Sequence, residues 1–161
     1  MILLDGRKVA DDLRAKLTLD IAEFTKKYNR KPCLKVIIVG NDPASLVYVK
    51  SKHTASQKVG MQSEIINLEA SVTQSQLENE IHKLNSDPNV DGILVQLPVP
   101  KHIDLTSVLK AIDPMKDADG LTFLSTGYLW SDFEHVKPCT PSGVIKILDF
   151  YNIPVKGKRV V

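Results

Sequence analysis

A lysine one helical turn after a tyrosine, and a glutamine where a strand ends, are the residues of this sequence best suited to moving protons. The apolar run Leu34–Val39 is followed by the turn Gly40-Asn41-Asp42-Pro43, after which Ser45, Tyr48 and Lys52 recur at i, i+3 and i+7. That spacing puts all three on one face of a helix. A lysine desolvated against an aromatic ring has a lowered pKa and exchanges protons near neutral pH. Gln96 closes a second apolar run, Gly92–Val95, and Pro98 and Pro100 stop the strand there. Its neutral carbonyl accepts a hydrogen bond from an amine without adding a charge that would hold the proton on it. Two other readings use the same residues. A tyrosine packed in the core with a lysine extending past it gives a non-catalytic α/β ligand-binding module, and a desolvated lysine beside a tyrosine also suits Schiff-base chemistry on a carbonyl substrate, which borohydride would trap.

A further segment with chemical content is Lys116-Asp117-Ala118-Asp119-Gly120. It reads as an acidic turn, and it lacks the remaining ligands of a calcium loop. Pro138-Cys139-Thr140-Pro141 reads as a rigid helix entry. His53, His82, His102 and His135 share no spacing, and Cys33 and Cys139 have no metal-ligand spacing, so no metal site is expected.

These groups need a scaffold. Val9, Leu13, Leu17, Ile21, Phe24 and Tyr28 recur at intervals of three or four, predicting an amphipathic helix that Lys31-Pro32 ends. Leu34–Val39 is β-branched and continuously apolar, as a strand buried on both faces is. A helix from Pro43 towards Val59 stops at Gly60, and Ser63–Leu68 reads as a second strand. Thr73 with Gln76 forms a capping box opening a helix whose Leu77, Ile81 and Leu84 face inward. Val90–Leu97 is the third predicted strand, and Asp104 caps a short helix carrying Leu105, Val108, Leu109 and Ile112. Thr140-Pro141 predicts the N-cap and first position of a helix to about Tyr151, and Lys158–Val161 the start of a further strand. Strands alternating with helices imply a three-layer α/β fold, a parallel sheet with helices on both faces.

The chain has 161 residues, 43% of them hydrophobic and 25% charged, with a formal net charge of +2. That composition suits one soluble domain with its own core. The dispersed charge argues against a nucleic-acid partner. The apolar start Ile2-Leu3-Leu4 is too short for a signal peptide and no run reaches membrane-spanning length, so the expected location is the cytoplasm, with two free thiols and no membrane partner.

The stretches LLDGRKVA, VGNDPAS with YVKSK, DGILVQLPVP, PMKDADG and PCTPSGV occur in an order that resembles the bifunctional methylenetetrahydrofolate dehydrogenase/methenyltetrahydrofolate cyclohydrolase family over nearly the whole chain. The resemblance implies an enzyme of one-carbon folate metabolism that oxidises 5,10-methylenetetrahydrofolate with NADP and hydrolyses the 5,10-methenyl product to 10-formyltetrahydrofolate. It implies Lys52 as the acid/base residue, with Gln96 and Tyr48 beside it. It implies folate contacts from Tyr48, Ser45, Val95, Gln96, Leu97, Pro98, Asp119 and, by position, Pro141. The family continues into a glycine-rich dinucleotide-binding domain, whereas no G-x-G-x-x-G occurs here. The implied division is residues 1–140 as the folate-binding catalytic domain and 141–161 as a linking helix and first strand of an otherwise absent Rossmann domain. On this reading the NADP-binding residues lie outside the chain, and the full-length protein is a homodimer.

Overall fold

The computed structural model describes residues 3–131, 133 and 135–159. Among them are three parallel strands, β1 (Cys33–Val39), β2 (Gln62–Leu68) and β3 (Gly92–Val95), in the order β2-β1-β3. Helices α1 (Gly6–Tyr28), α2 (Pro43–Lys58), α3 (Gln74–Ser86), α4 (Leu105–Ala111), α5 (Phe123–Trp130) and α6 (Cys139–Phe150) complete the order, with a 3₁₀ turn over Pro114–Lys116.

The pleat of β1 divides the core, because successive side chains point to opposite faces. Val36 and Ile38 pack with Leu94 and with Val49 of α2, while Ile37 and Val39 join Ile93 and Val95 against Leu77, Ile81 and Leu84 of α3 and Val108 of α4. This is the expected three-layer parallel architecture.

Local chemistry sets the element ends. Asp42 accepts from the Ser45 amide at 2.8 Å to open α2, with Pro43 in its first turn. Gly60, at φ +92°, turns the chain from α2 into β2. Thr73 and Gln76 form the expected capping box at α3. Strand β3 is shorter than the predicted Val90–Leu97, but its ladder runs one bond further, from the Gln96 amide to the Ile37 carbonyl at 2.8 Å. The other edge of β3 is covered, since the Ala118 amide donates to the Ile93 carbonyl at 3.2 Å.

Several expectations need correction. Of the predicted inward stripe of α1, only Val9 and Ile21 are buried; Leu13, Leu17 and Tyr28 are exposed. The reason is that α1 packs against α6 rather than along the sheet: Tyr151 Oη accepts from the Asp5 amide at 3.1 Å and Lys8 Nζ lies 5.8 Å from the Phe150 ring centroid. Helix α6 begins at Cys139 after Pro138, so Thr140 lies in the first turn instead of capping it. Helix α5 was not anticipated. Residues 156–157 form a turn and 158–159 have no regular structure, while Val160 and Val161, the rest of the predicted terminal strand, lie outside the described residues.

Candidate functional site

The carboxyl end of β3 faces the side of α2 that carries Tyr48 and Lys52. Gln96 is fixed there by its own amide on β1, and its side chain is fixed as well: Nε2 donates to the Leu97 carbonyl at 2.8 Å. With the NH₂ group committed, Oε1 is the end that faces α2, and Lys52 Nζ donates to it at 3.1 Å. The sequence distance between the two residues is 44, so the pair is a product of the fold.

Tyr48 and Lys52 border one cleft of about 620 Å³ together with Gln96, Asp119, Cys139 and Thr140, over a floor that includes Leu34, Leu94 and Ala118. Lys52 is half-buried against this floor, and Tyr48 stands on the rim, 64% exposed. One aromatic face, one amine held by a neutral amide and one carboxylate therefore converge on an apolar floor. That set suits a flat heteroaromatic ligand with hydrogen-bond donors at one end and a reacting centre near the amine.

Asp119 reaches the cleft because the rest of its turn is committed elsewhere. Lys116 Nζ donates to the Leu84, Asn85 and Asp87 carbonyls at 3.0, 2.7 and 2.7 Å, satisfying the end of α3. Asp117 is 4% exposed and accepts from the amides of Asp119 (3.2 Å), Gly120 (2.9 Å) and Thr122 (2.7 Å) and from the Ser125 hydroxyl (2.7 Å). Gly120, at φ +69°, has no room for a side chain, since a Cβ there would lie 2.9 Å from the Val136 carbonyl oxygen. That close approach brings the chain of 136–138, and with it Cys139 and Thr140, against the turn. Burial pushes the Cys139 thiol up, and the Asp119 carboxylate beside it adds to the shift.

Burial also pushes the Asp117 carboxyl up, but its donors from Thr122 and Ser125 outweigh this and hold it below the ordinary carboxylate range. A depressed folded-state value stabilises the fold above the unfolded value of about 3.9, and this contribution is lost as pH falls through the folded value. Asp117→Asn should therefore lower unfolding free energy by about 1.5 kcal/mol at neutral pH, and by progressively less as the pH is taken below about 4. Urea titrations of both proteins at pH 7 and pH 3 check this, and an equal difference at the two values would rule it out.

The remaining sequence-derived site residues are dispersed. Ser45 is buried at the first turn of α2, where its amide is used by Asp42. Val95 is not brought to the cleft, because the strand alternation turns its side chain to the α3–α4 face of the core. Leu97 borders a small apolar void with Leu105, Leu109 and Leu121. Pro98 follows a cis peptide bond, and Pro141 is exposed in α6. Cys139, Thr140, Leu34 and Leu94 line the cleft without having been picked out from the sequence as site residues.

A larger concavity, about 970 Å³, lies between the end of β2 and α3, but its Glu80 and Lys83 pair with each other at 3.0 Å and it borders neither Lys52 nor Gln96. Among the described residues no group of three or more His, Cys, Asp or Glu could hold a metal ion, and no helix is long and apolar enough to cross a membrane.

Comparison with known proteins adds an independent line. A family model described as tetrahydrofolate dehydrogenase/cyclohydrolase, catalytic domain, matches residues 4–119. The bifunctional protein FolD of Bdellovibrio bacteriovorus is 51% identical over all 161 residues, which cover 56% of that relative. The crystal structure of the FolD dehydrogenase/cyclohydrolase of Campylobacter jejuni superposes with a TM-score of 0.93 at 42% identity, covering 98% of this chain and 56% of that one. The Trypanosoma brucei dehydrogenase-cyclohydrolase, solved in complex with NADP cofactor and inhibitor, gives a TM-score of 0.93 at 37% identity, covering 98% of this chain and 54% of that one. The chain thus spans a little over half the length of these relatives.

Proposed function

We propose, from the premise that this chain belongs to the tetrahydrofolate dehydrogenase/cyclohydrolase family, that its cleft holds a reduced folate and that Lys52 moves protons in the hydrolysis of 5,10-methenyltetrahydrofolate. The observation that carries this reading is the Lys52–Gln96 hydrogen bond at 3.1 Å in a cleft that Tyr48 and Asp119 share. Asp119 would accept from the amino and ring N–H donors of the pterin. Tyr48 would lie along the aromatic part of the folate.

In the hydrolysis a water oxygen bonds to the methenyl carbon while Lys52, as the free amine, takes one of the water's protons. The bond from that carbon to N5 then breaks, its electron pair staying on nitrogen, and the remaining hydroxyl proton passes to N5 to leave the 10-formyl product. Lys52 releases its proton to solvent. Gln96 serves by fixing the direction of Nζ without contributing a charge.

The parent reaction also passes hydride from 5,10-methylenetetrahydrofolate to NADP, but the turn between β1 and α2 does not fit the pyrophosphate of a dinucleotide. The β1–Gly40–α2 turn has a single glycine, and the amide at the start of α2 is already taken by the Asp42 carboxylate, whose charge would repel a pyrophosphate. The chain's part in the dehydrogenase step is to bind and orient the folate.

Titrating tetrahydrofolate into the protein by calorimetry tests the reading. Saturable one-to-one binding is expected, weakened in Tyr48→Ala by about 0.5–1.5 kcal/mol through loss of the stacked ring. Absence of binding would sink it.

A further inference from the structure

The buried carboxylate of Asp117 has a different pair of partners at each oxygen. Oδ1 accepts from the Asp119 amide at 3.2 Å and the Gly120 amide at 2.9 Å, the residue that borders the cleft and the one after it. Oδ2 accepts from the Thr122 amide and the Ser125 hydroxyl, both at 2.7 Å, where α5 begins. The hydroxyls have fixed directions. Ser125 Oγ has one proton and gives it to Asp117, so Thr122 Oγ1 must be the donor in its 2.8 Å contact with Ser125 Oγ, while it accepts from the Ser125 amide at 3.3 Å. Asp117, Thr122 and Ser125 are all buried, so these donors depend on the one carboxylate rather than on water.

An isosteric amide cannot take this place. Either orientation of an asparagine side chain turns its NH₂ group towards two donors, the amides of 119 and 120 in one case, the Thr122 amide and the Ser125 hydroxyl in the other. The backbone amides cannot rotate away, so the turn must shift. Asp119 is where that shift is felt. Among the described residues no N–H or O–H group donates to its carboxylate, so its own backbone is what aims it. That backbone is held by the Asp119 amide on Asp117 and by the Ala118 amide on the Ile93 carbonyl at 3.2 Å, which ties the turn to β3 three residues before Gln96. One buried carboxylate thus joins the start of α5 to the only group of the turn that faces the cleft with a charge.

From this arrangement we propose that Asp117 is a positioning residue for folate binding and acts through Asp119: its carboxylate fixes the backbone that aims the Asp119 side chain at the pterin. The proposal rests on the folate reading above and extends it to a residue that touches no ligand. An anchor already aimed in the free protein does not have to be ordered when the ligand arrives, so releasing it should weaken binding by about threefold to tenfold. The lower stability expected of Asp117→Asn is a separate effect, because molecules that remain folded lose affinity only if the anchor itself has moved.

The test is a double-mutant cycle, read by calorimetric titration of tetrahydrofolate into the wild type, Asp117→Asn, Asp119→Ala and the double variant at a temperature where all four are folded. Asp117→Asn should weaken binding by about threefold to tenfold in the wild-type background and by less than about twofold where residue 119 is already alanine. The shift in urea midpoint that Asp117→Asn causes should be the same in both backgrounds, because alanine at 119 keeps the amide that Asp117 holds. An equal loss of affinity in both backgrounds overturns the proposal by making Asp117 a general support of the fold, and so does unchanged affinity in Asp117→Asn. If that variant does not fold, Ser125→Ala takes its place in the cycle: it removes one donor and leaves the carboxylate, and its expected loss of about twofold to threefold should again vanish with Asp119→Ala. Failure of tetrahydrofolate to bind the wild type overturns the folate reading and the proposal with it, whereas binding that Asp119→Ala leaves unchanged overturns the role of Asp117 while the folate reading stands.

Discussion

Lys52→Met should lower the turnover of 5,10-methenyltetrahydrofolate hydrolysis by about 10²- to 10⁴-fold, the range that a positioned proton-transfer group supplies. Methionine keeps much of the length and the apolar stem of lysine, so the contacts along the cleft floor persist. Among the described residues, Lys52 Nζ makes one hydrogen bond, to Gln96 Oε1. Its loss leaves a carbonyl that water entering the cleft satisfies, and the variant should therefore unfold at nearly the same denaturant concentration as the wild type. Folate affinity should change little, since the proposed reading has the pterin held at Asp119 and the aromatic part at Tyr48. The joint outcome is what discriminates: turnover lost, fold and binding kept. A variant with near-normal turnover would remove Lys52 from the proton path, and one that loses turnover together with folate binding would make it a binding residue instead.

What the sequence made legible, and what it did not, follows the range of the interaction. The β1 run and the capping box at Thr73 and Gln76 are local signals, and the structure realises both, with Leu77, Ile81 and Leu84 buried as the helical period requires. The stripe on α1 was equally regular, but periodicity says which face of a helix is apolar and not what covers it; α6 covers only part of this one. Helix α5 escaped because Phe123, Leu124, Leu129 and Trp130 are exposed and only Ser125 is buried, the reverse of the pattern that marks an amphipathic helix. Its signal was the Thr122 cap on the Ser125 amide.

At the site, the common face of Tyr48 and Lys52 was readable from a spacing of four, and Gln96 from the prolines that end its strand. Their meeting was not, because it depends on β3 lying parallel to β1 with α2 packed across the sheet. The same holds for Cys139 and Thr140, which enter the cleft through the close pass of residues 136–138 over Gly120. The acidic turn is instructive in another way. Two carboxylates two residues apart look alike in sequence, and only the hydrogen bonds separate them: Asp117 faces four internal donors, and Asp119 faces the cleft.

That division of labour sets the second large effect. Asp119→Ala should weaken tetrahydrofolate binding by about 1.5 to 3 kcal/mol, the worth of a hydrogen bond to a charged group, or roughly 10- to 150-fold in Kd. The turn should survive the change, because Lys116 is docked on the end of α3, Asp117 gathers the amides of 119, 120 and 122, and Gly120 supplies the left-handed residue. The Asp119 amide, which donates to Asp117, is retained in alanine. Unfolding stability is thus expected to stay within about 0.5 kcal/mol of wild type, as for a half-exposed substitution away from the core. Asp119→Asn separates charge from shape, since the amide keeps one acceptor oxygen but replaces the other with a donor that faces the pterin's own N–H groups. It should bind no better than the alanine variant. Calorimetry on the three proteins decides the matter: unchanged affinity in Asp119→Ala would make the turn purely structural, and full recovery in Asp119→Asn would show that the charge of Asp119 contributes nothing to holding the pterin.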